Sequence, residues 1–247
     1  MLRADDSAFS EGRGCYTSAR VEAGRVRFAA RHVARLVAAA RELRLGQLDP
    51  AWVQRALEEL AEAAFGGHDG VVRLQASRDG EGQLHLVGLP RALGLLPTEW
   101  SAIVVALAHE GGGLGAGLKV SSRLTMALAG DLAREAGVDE ALLLDGGGAL
   151  VEGARSNLLV VSGSGEAATP PAARGAVAGI ARAVVMERVR GIRERDVSGP
   201  ELREAREIVA LNAVCGASPV TRLDGEPVGD GRPGPWAARA AAALARD

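Results

Sequence analysis

Several residue types are scarce in this sequence, and each scarcity excludes something. Aromatic side chains make up 3% of 247 positions, and Tyr16 is the one tyrosine. Two cysteines, Cys15 and Cys215, are too few for a disulfide framework. Charge of neither sign prevails: 31 acidic against 29 basic residues leave a net charge of −2, which argues against a dedicated binder of nucleic acid or of an acidic membrane surface. No apolar run approaches the roughly 20 residues needed to cross a bilayer, and no secretory leader is visible, so a cytoplasmic soluble protein is expected. The four histidines (His32, His68, His85, His109) and the cysteines show no metal-ligand spacing, so no metal is expected.

Lysine is the scarcest charged residue. Of the 29 basic side chains only Lys119 is a lysine; the rest are arginines. Arginine replaces lysine as a surface charge, but it cannot lose a proton at a primary amine and condense with an aldehyde. A composition rich in arginine and alanine accounts for the scarcity by itself, yet it singles out the survivor.

What remains is an ordinary globular composition, 47% hydrophobic and 24% charged. Residues 14–28 read as a hairpin turning at Ala23-Gly24. Helical spacing follows over residues 29–43, with Phe28, His32, Leu36 and Leu43 on one face. Asp49-Pro50 starts a second helix that ends at Gly66-Gly67. Residues 71–77 and 83–88 look like paired strands. A first α/β unit thus occupies 1–92, and Pro90 and Pro97 mark a linker over 89–98. The larger unit, 99–247, reads as a buried strand at 102–108, a Gly-rich loop at 111–117, and a helix at 122–136. Hairpin strands at 140–144 and 149–161, a helix from 178, a strand at 207–211 and a closing helix at 236–246 complete it. The class is mixed α/β (α+β) in two unequal units.

Several site motifs fail. A phosphate-binding loop needs Lys directly after Gly and then Ser or Thr, whereas Leu118 precedes Lys119 and Val120 follows. No dinucleotide fingerprint and no serine-hydrolase elbow is present. What is left is an ordered set: Lys119 ahead of a helix; Glu152 in Leu150-Val151-Glu152-Gly153; Gly179-Ile180-Ala181-Arg182 opening a helix; and Asn212-Ala213-Val214-Cys215-Gly216-Ala217-Ser218-Pro219-Val220 after a strand. Amide-rich helix starts and an arginine suit a phosphate; a carboxylate suits a protonated pyridine nitrogen; an amine suits an aldehyde.

In order and wording these residues resemble the fold-type IV (class IV) pyridoxal-phosphate family, which includes branched-chain aminotransferases, D-amino acid transaminases and 4-amino-4-deoxychorismate lyases. The resemblance runs over residues 12–234. It implies a two-domain fold with pyridoxal 5'-phosphate at the domain interface, and a homodimer acting on a small-molecule amine. It implies that Lys119 bonds the cofactor's aldehyde and is the catalytic residue, and that Glu152 pairs with the ring nitrogen. Arg35, in His32-Val33-Ala34-Arg35-Leu36, would take the phosphate, with Ile180, Ala181, Asn212 and Ala213 completing the cup.

Three details resemble the lyase: the opening strand Gly14-Cys15-Tyr16-Thr17-Ser18-Ala19-Arg20-Val21, with Thr17 where many transaminases carry glutamate; Arg123-Leu124 after the lysine; and Asn212-Ala213. The implied reaction converts 4-amino-4-deoxychorismate to 4-aminobenzoate and pyruvate, in the folate branch. Tyr16 instead resembles a tyrosine of D-amino acid transaminases, so a class IV aminotransferase is the alternative, and a cofactor-binding member without turnover the second. The sequence departs from the family at Arg13, where aspartate is usual, and at Ser122, where asparagine is usual. It also lacks any arginine between Arg91 and Lys119 to hold a substrate carboxylate. Tyr16, Thr17, His109 and Arg123 are the substrate-binding candidates, with Arg13 or a residue of a second subunit as other sources of that cation.

Overall fold

The computed structural model describes residues 4–107, 109, 111, 113 and 115–246. The chain divides into two compact units, one holding the chain up to Leu95 together with Leu118–Arg123, the other holding Leu96–Gly117 and Leu124–Arg246.

In the first unit a short helix, α1 (Ser7–Ser10), is capped by Asp6, whose second oxygen accepts from the Ser77 hydroxyl at 2.7 Å. Strands β1 (Cys15–Glu22) and β2 (Arg25–Val26) form the expected hairpin. Helix α2 (Ala29–Glu42) follows, and then α3 (Pro50–Phe65), with Asp49 as cap and Gly66 ending it in the left-handed conformation. Strands β3 (Gly70–Arg78) and β4 (Leu84–Arg91) finish an antiparallel sheet of order β2-β1-β3-β4. Alternation along β1 and β3 gives the sheet two unlike faces. Cys15, Ala19 and Val21 share one face with Val72, Leu74 and Ala76, and pack against Leu36 and Ala40 of α2 and Val53 and Leu57 of α3. Each such leucine contributes about 1.5–3 kcal/mol by leaving water. Tyr16 and Arg73 fall on the other face.

The strand expected at 83–88 continues through Pro90, into what the sequence marks as linker. Pro90 lies opposite Val72 on β4, an edge strand, the place in a sheet where proline is tolerated. The segment Leu118–Arg123 belongs to this unit although it lies beyond the expected boundary. Val120 bridges to Cys15, Tyr16 N–H donates to Lys119 O at 2.9 Å, and Ser121 N–H to Gly14 O at 2.8 Å.

The second unit is built on β5 (Trp100–Val104), β6 (Glu140–Leu144), β7 (Leu150–Gly153), β8 (Asn157–Val161), β9 (Ala167–Thr169), β10 (Ile192–Glu194), β11 (Glu207–Asn212), β12 (Gly216–Leu223) and β13 (Glu226–Pro227). Among the described residues the sheet order is β10-β9-β8-β11-β12-β5-β6-β7, with β13 on β12. Helices α4 (Leu124–Glu135), α5 (Ile180–Arg188), α6 (Gly199–Arg203) and α7 (Pro235–Leu244) complete it. Strands β7 and β8 are buried throughout, with Glu152 and Asn157 as their buried polar members.

One expectation changes here. The hairpin of 140–144 with the stretch after Asp145-Gly146-Gly147-Gly148 forms as β6 and β7, but 149–161 is not a single strand: it breaks after Gly153, and β8 pairs with β9 and β11. Beyond the Asn212-Ala213 turn the chain forms a further strand, β12. No described helix is long and apolar enough to cross a membrane, and no described cluster of His, Cys, Asp and Glu could hold a metal.

Candidate active site

Four cations and one phenol gather in the first unit. Tyr16 is buried on β1, with the Arg73 guanidinium 3.7 Å from its ring centroid and Lys119 Nζ 4.9 Å from it. Arg123 donates to the Tyr16 hydroxyl. Burial holds the phenol above its ordinary range, against the pull of Arg123, Arg73 and Arg35, so it keeps its proton. Because that oxygen accepts from Arg123, its own proton is left for another acceptor. Burial lowers Arg73, which Tyr16 and Arg123 shift in opposite directions.

On the helix-facing side Thr17 is fully buried. Its Oγ1 accepts from Arg35 Nη2 at 2.6 Å and lies 2.6 Å from His32 Nδ1. Arginine only donates, so the Thr17 proton goes to His32. Burial, with Arg35 and Lys119 nearby, keeps the His32 imidazole well below its usual range and neutral. Burial pulls the Arg35 guanidinium down to about 10, which leaves it cationic at neutral pH. Among the described residues no carboxylate pairs with it, and its Nε is buried without a hydrogen-bond partner. A partly buried cation with an unmet donor suits an anion.

The second unit carries the carboxylate. Glu152, on β7, is buried; its Oε2 accepts from Val177 N–H at 2.9 Å, and its Oε1 is 3.5 Å from His109 Nε2. Asn157 donates to Val177 O at 2.9 Å, so Val177 is held from both sides. Gly179 starts α5 without a side-chain cap, placing the amides of buried Ile180 and Ala181 in an uncapped first turn. Arg182, one turn on, is buried; it bonds Thr169 Oγ1 at 3.2 Å and Pro170 O at 3.0 Å and pairs with Glu194. Asn212 Oδ1 accepts from Val214 and Cys215 N–H at 2.9 and 2.7 Å. That oxygen folds its own loop, leaving the Asn212-Ala213 turn to contribute main-chain groups.

The first unit thus brings together Lys119, Tyr16, Thr17, Arg35 and Arg123 of the expected residues, and the second Glu152, His109, Ile180 and Ala181. His109 is found at the carboxylate. Arg13 pairs with Glu11 at 2.5 Å. Sequence reasoning misses Arg73, His32, Asn157 and Val177; only the strand register shows that Arg73 shares a face with Tyr16.

The class IV aminotransferase family model matches residues 14–223. The chain belongs to that family. Class IV aminotransferases are pyridoxal-phosphate enzymes. The branched-chain-amino-acid aminotransferase of Escherichia coli K12 is 34% identical over 116 residues, 45% of this chain and 37% of that protein, so the match spans well under half of that relative's length. A fold IV transaminase from Curtobacterium pusillum covers all of this chain and 91% of its own at 25% identity, with a TM-score of 0.85. A Legionella pneumophila protein named provisionally as a 4-amino-4-deoxychorismate lyase covers 92% of this chain and 88% of its own at 19% identity, with the same TM-score. The mixed α/β fold is that of the class IV enzymes.

The residues present fit pyridoxal phosphate. Arg35 offers an unmet buried donor for a phosphate, α5 offers an uncapped first turn, Glu152 offers a fixed carboxylate, and Lys119 the one primary amine among the side chains.

Proposed function

We propose that the chain is a pyridoxal-phosphate lyase that releases pyruvate from 4-amino-4-deoxychorismate and leaves 4-aminobenzoate. The observation carrying this reading is the pair of cations on Tyr16, Arg73 over its ring and Arg123 on its hydroxyl, with Lys119 beside it. That substrate bears two carboxylates, and two arginines suit both. They also supply what the stretch between Arg91 and Lys119 lacks. Thr17 supports the same choice: it leaves Arg35 its whole charge, where a glutamate at that place would neutralise it.

When bound, the cofactor supplies an aldehyde for amines and a ring that draws electrons from the amine-bearing carbon. Lys119 would hold that aldehyde at rest and, once displaced, take the proton from the substrate carbon. Glu152 would keep the ring nitrogen protonated. Arg35, the Ile180 and Ala181 amides and the Asn212-Ala213 turn would hold the phosphate. Arg73 and Arg123 would orient the substrate through its carboxylates, and the Tyr16 hydroxyl would donate to a substrate oxygen.

A second reading, class IV aminotransferase, is favoured by the 34% identity to the E. coli enzyme. Purified protein is given the aminated chorismate, and separately D-alanine or branched-chain amino acids with 2-oxoglutarate. Equal yields of pyruvate and 4-aminobenzoate support the lyase; glutamate in the second assay alone supports the aminotransferase. Turnover of neither, with cofactor bound, makes the chain a non-catalytic member. Lys119→Ala should lower turnover by at least about 10²-fold, and unchanged turnover would refute both enzymatic readings.

A further inference from the structure

We propose that His109 is a positioning residue for Glu152, fixing the carboxylate by its second oxygen. The proposal rests on Glu152 being the carboxylate for the cofactor's ring nitrogen. In the sequence His109 reads as a substrate-binding candidate; its neighbours in the structure are Gly111 and Glu152.

Gly111 N–H donates to His109 Nδ1 at 3.0 Å. A nitrogen that accepts carries no proton, so the ring is the neutral tautomer with its hydrogen on Nε2. Nε2 is the atom 3.5 Å from Glu152 Oε1, and both side chains are more than nine-tenths buried. Val177 N–H holds the other oxygen. The terminal torsion of a glutamate is broad, and one donor does not fix its plane; two donors on different oxygens do. At 3.5 Å this is a contact in which the Nε2 proton faces the carboxylate oxygen, longer than a formed N–H···O hydrogen bond.

The imidazole is itself held. His109 N–H donates to Leu144 O at 2.8 Å and the residue bridges to Asp145, the continuation of β6. Gly175, at φ +106°, closes a turn beside it: a Cβ there would lie 2.9 Å from His109 Cε1 and 2.3 Å from Gly111 O. Only glycine adopts that conformation and leaves that space. Main chain, Gly111 amide and Gly175 turn therefore all fix where Nε2 points.

The test uses the full chain. Long-range nitrogen–proton spectra of the histidine-labelled apoprotein, with the His109 signal identified by its loss in His109→Gln, should show the Nε2–H tautomer. The Nδ1–H tautomer overturns the proposal. Affinity for pyridoxal phosphate should fall about tenfold in His109→Phe and less than about threefold in His109→Gln, whose amide still donates. In a Glu152→Ala background His109→Phe should cost nothing further; an equal loss in both backgrounds means general packing and overturns the proposal. If Glu152→Ala alone leaves cofactor affinity and spectrum unchanged, the role of Glu152 itself fails, and His109 with it.

Discussion

Replacing Thr17 by Val tests the chain from Arg35 through Thr17 to His32 with almost no change in volume. The hydroxyl is fully buried and serves two partners at 2.6 Å each. Its loss removes a hydrogen bond to a charged donor, about 1.5–3 kcal/mol, and strands the buried Nδ1 of His32, about 1–3 kcal/mol. The two losses share one atom and Arg35 is only partly buried, so they do not add in full; about 3 kcal/mol is expected. For a chain of this size that lowers the thermal midpoint of the apoprotein by about 6–12 °C. Thr17→Ser keeps the hydroxyl and should remain within about 1 kcal/mol of the parent. Affinity for pyridoxal phosphate should also drop about tenfold in Thr17→Val, because Arg35 loses the group that orients it. A Thr17→Val protein within about 1 kcal/mol of the parent, or a serine variant as weak as the valine one, would show that the hydroxyl links nothing.

Two further outcomes follow from the same geometry. His32 is neutral when folded and titrates near 6.5 when unfolded, so its contribution is complete above that pH and is lost as pH falls below it, by up to about 1.4 kcal/mol per unit. Urea midpoints at about pH 7.5 and 5.5 should show the gap between parent and His32→Gln narrowing on acidification; a constant gap contradicts the buried neutral state. Gly179→Ala places a Cβ 1.9 Å from Asn157 Oδ1, whose amide is committed to Val177 O. A cost of about 1–3 kcal/mol in stability and weaker cofactor binding should appear together, and full cofactor affinity would disconnect Asn157 from the site.

Much of the first unit is legible in local chemistry. Asp49-Pro50 and Gly66 bound α3 to the residue, and the hairpin at Ala23-Gly24 needs only its turn signal. Pro90 misleads, because a proline breaks a strand only where its N–H is wanted, and edge position is a property of the sheet. Strand β12 is not legible in residues 216–223, since Gly216, Ser218 and Pro219 are poor strand formers that pairing with β11 nevertheless accommodates. Lys119, Glu152 and Arg35 stand out by scarcity or by family wording. Arg73 does not: one arginine in Val71-Val72-Arg73-Leu74 looks like any outward-facing charge until the register sets it over Tyr16. His109 is visible as a residue but not as a neighbour of Glu152, because the two stand 43 positions apart in the chain.

The return of Leu118–Arg123 to the first unit bears on how the molecule is made and cut. During synthesis the N-terminal sheet emerges with its Gly14–Tyr16 margin bare, and the segment that lines it, amine included, leaves the ribosome only after the stretch Leu96–Gly117 of the other unit. A nick between residues 89 and 98 would release neither half, since the downstream fragment still threads through its upstream partner. The lysine is therefore a late arrival to the unit that houses it.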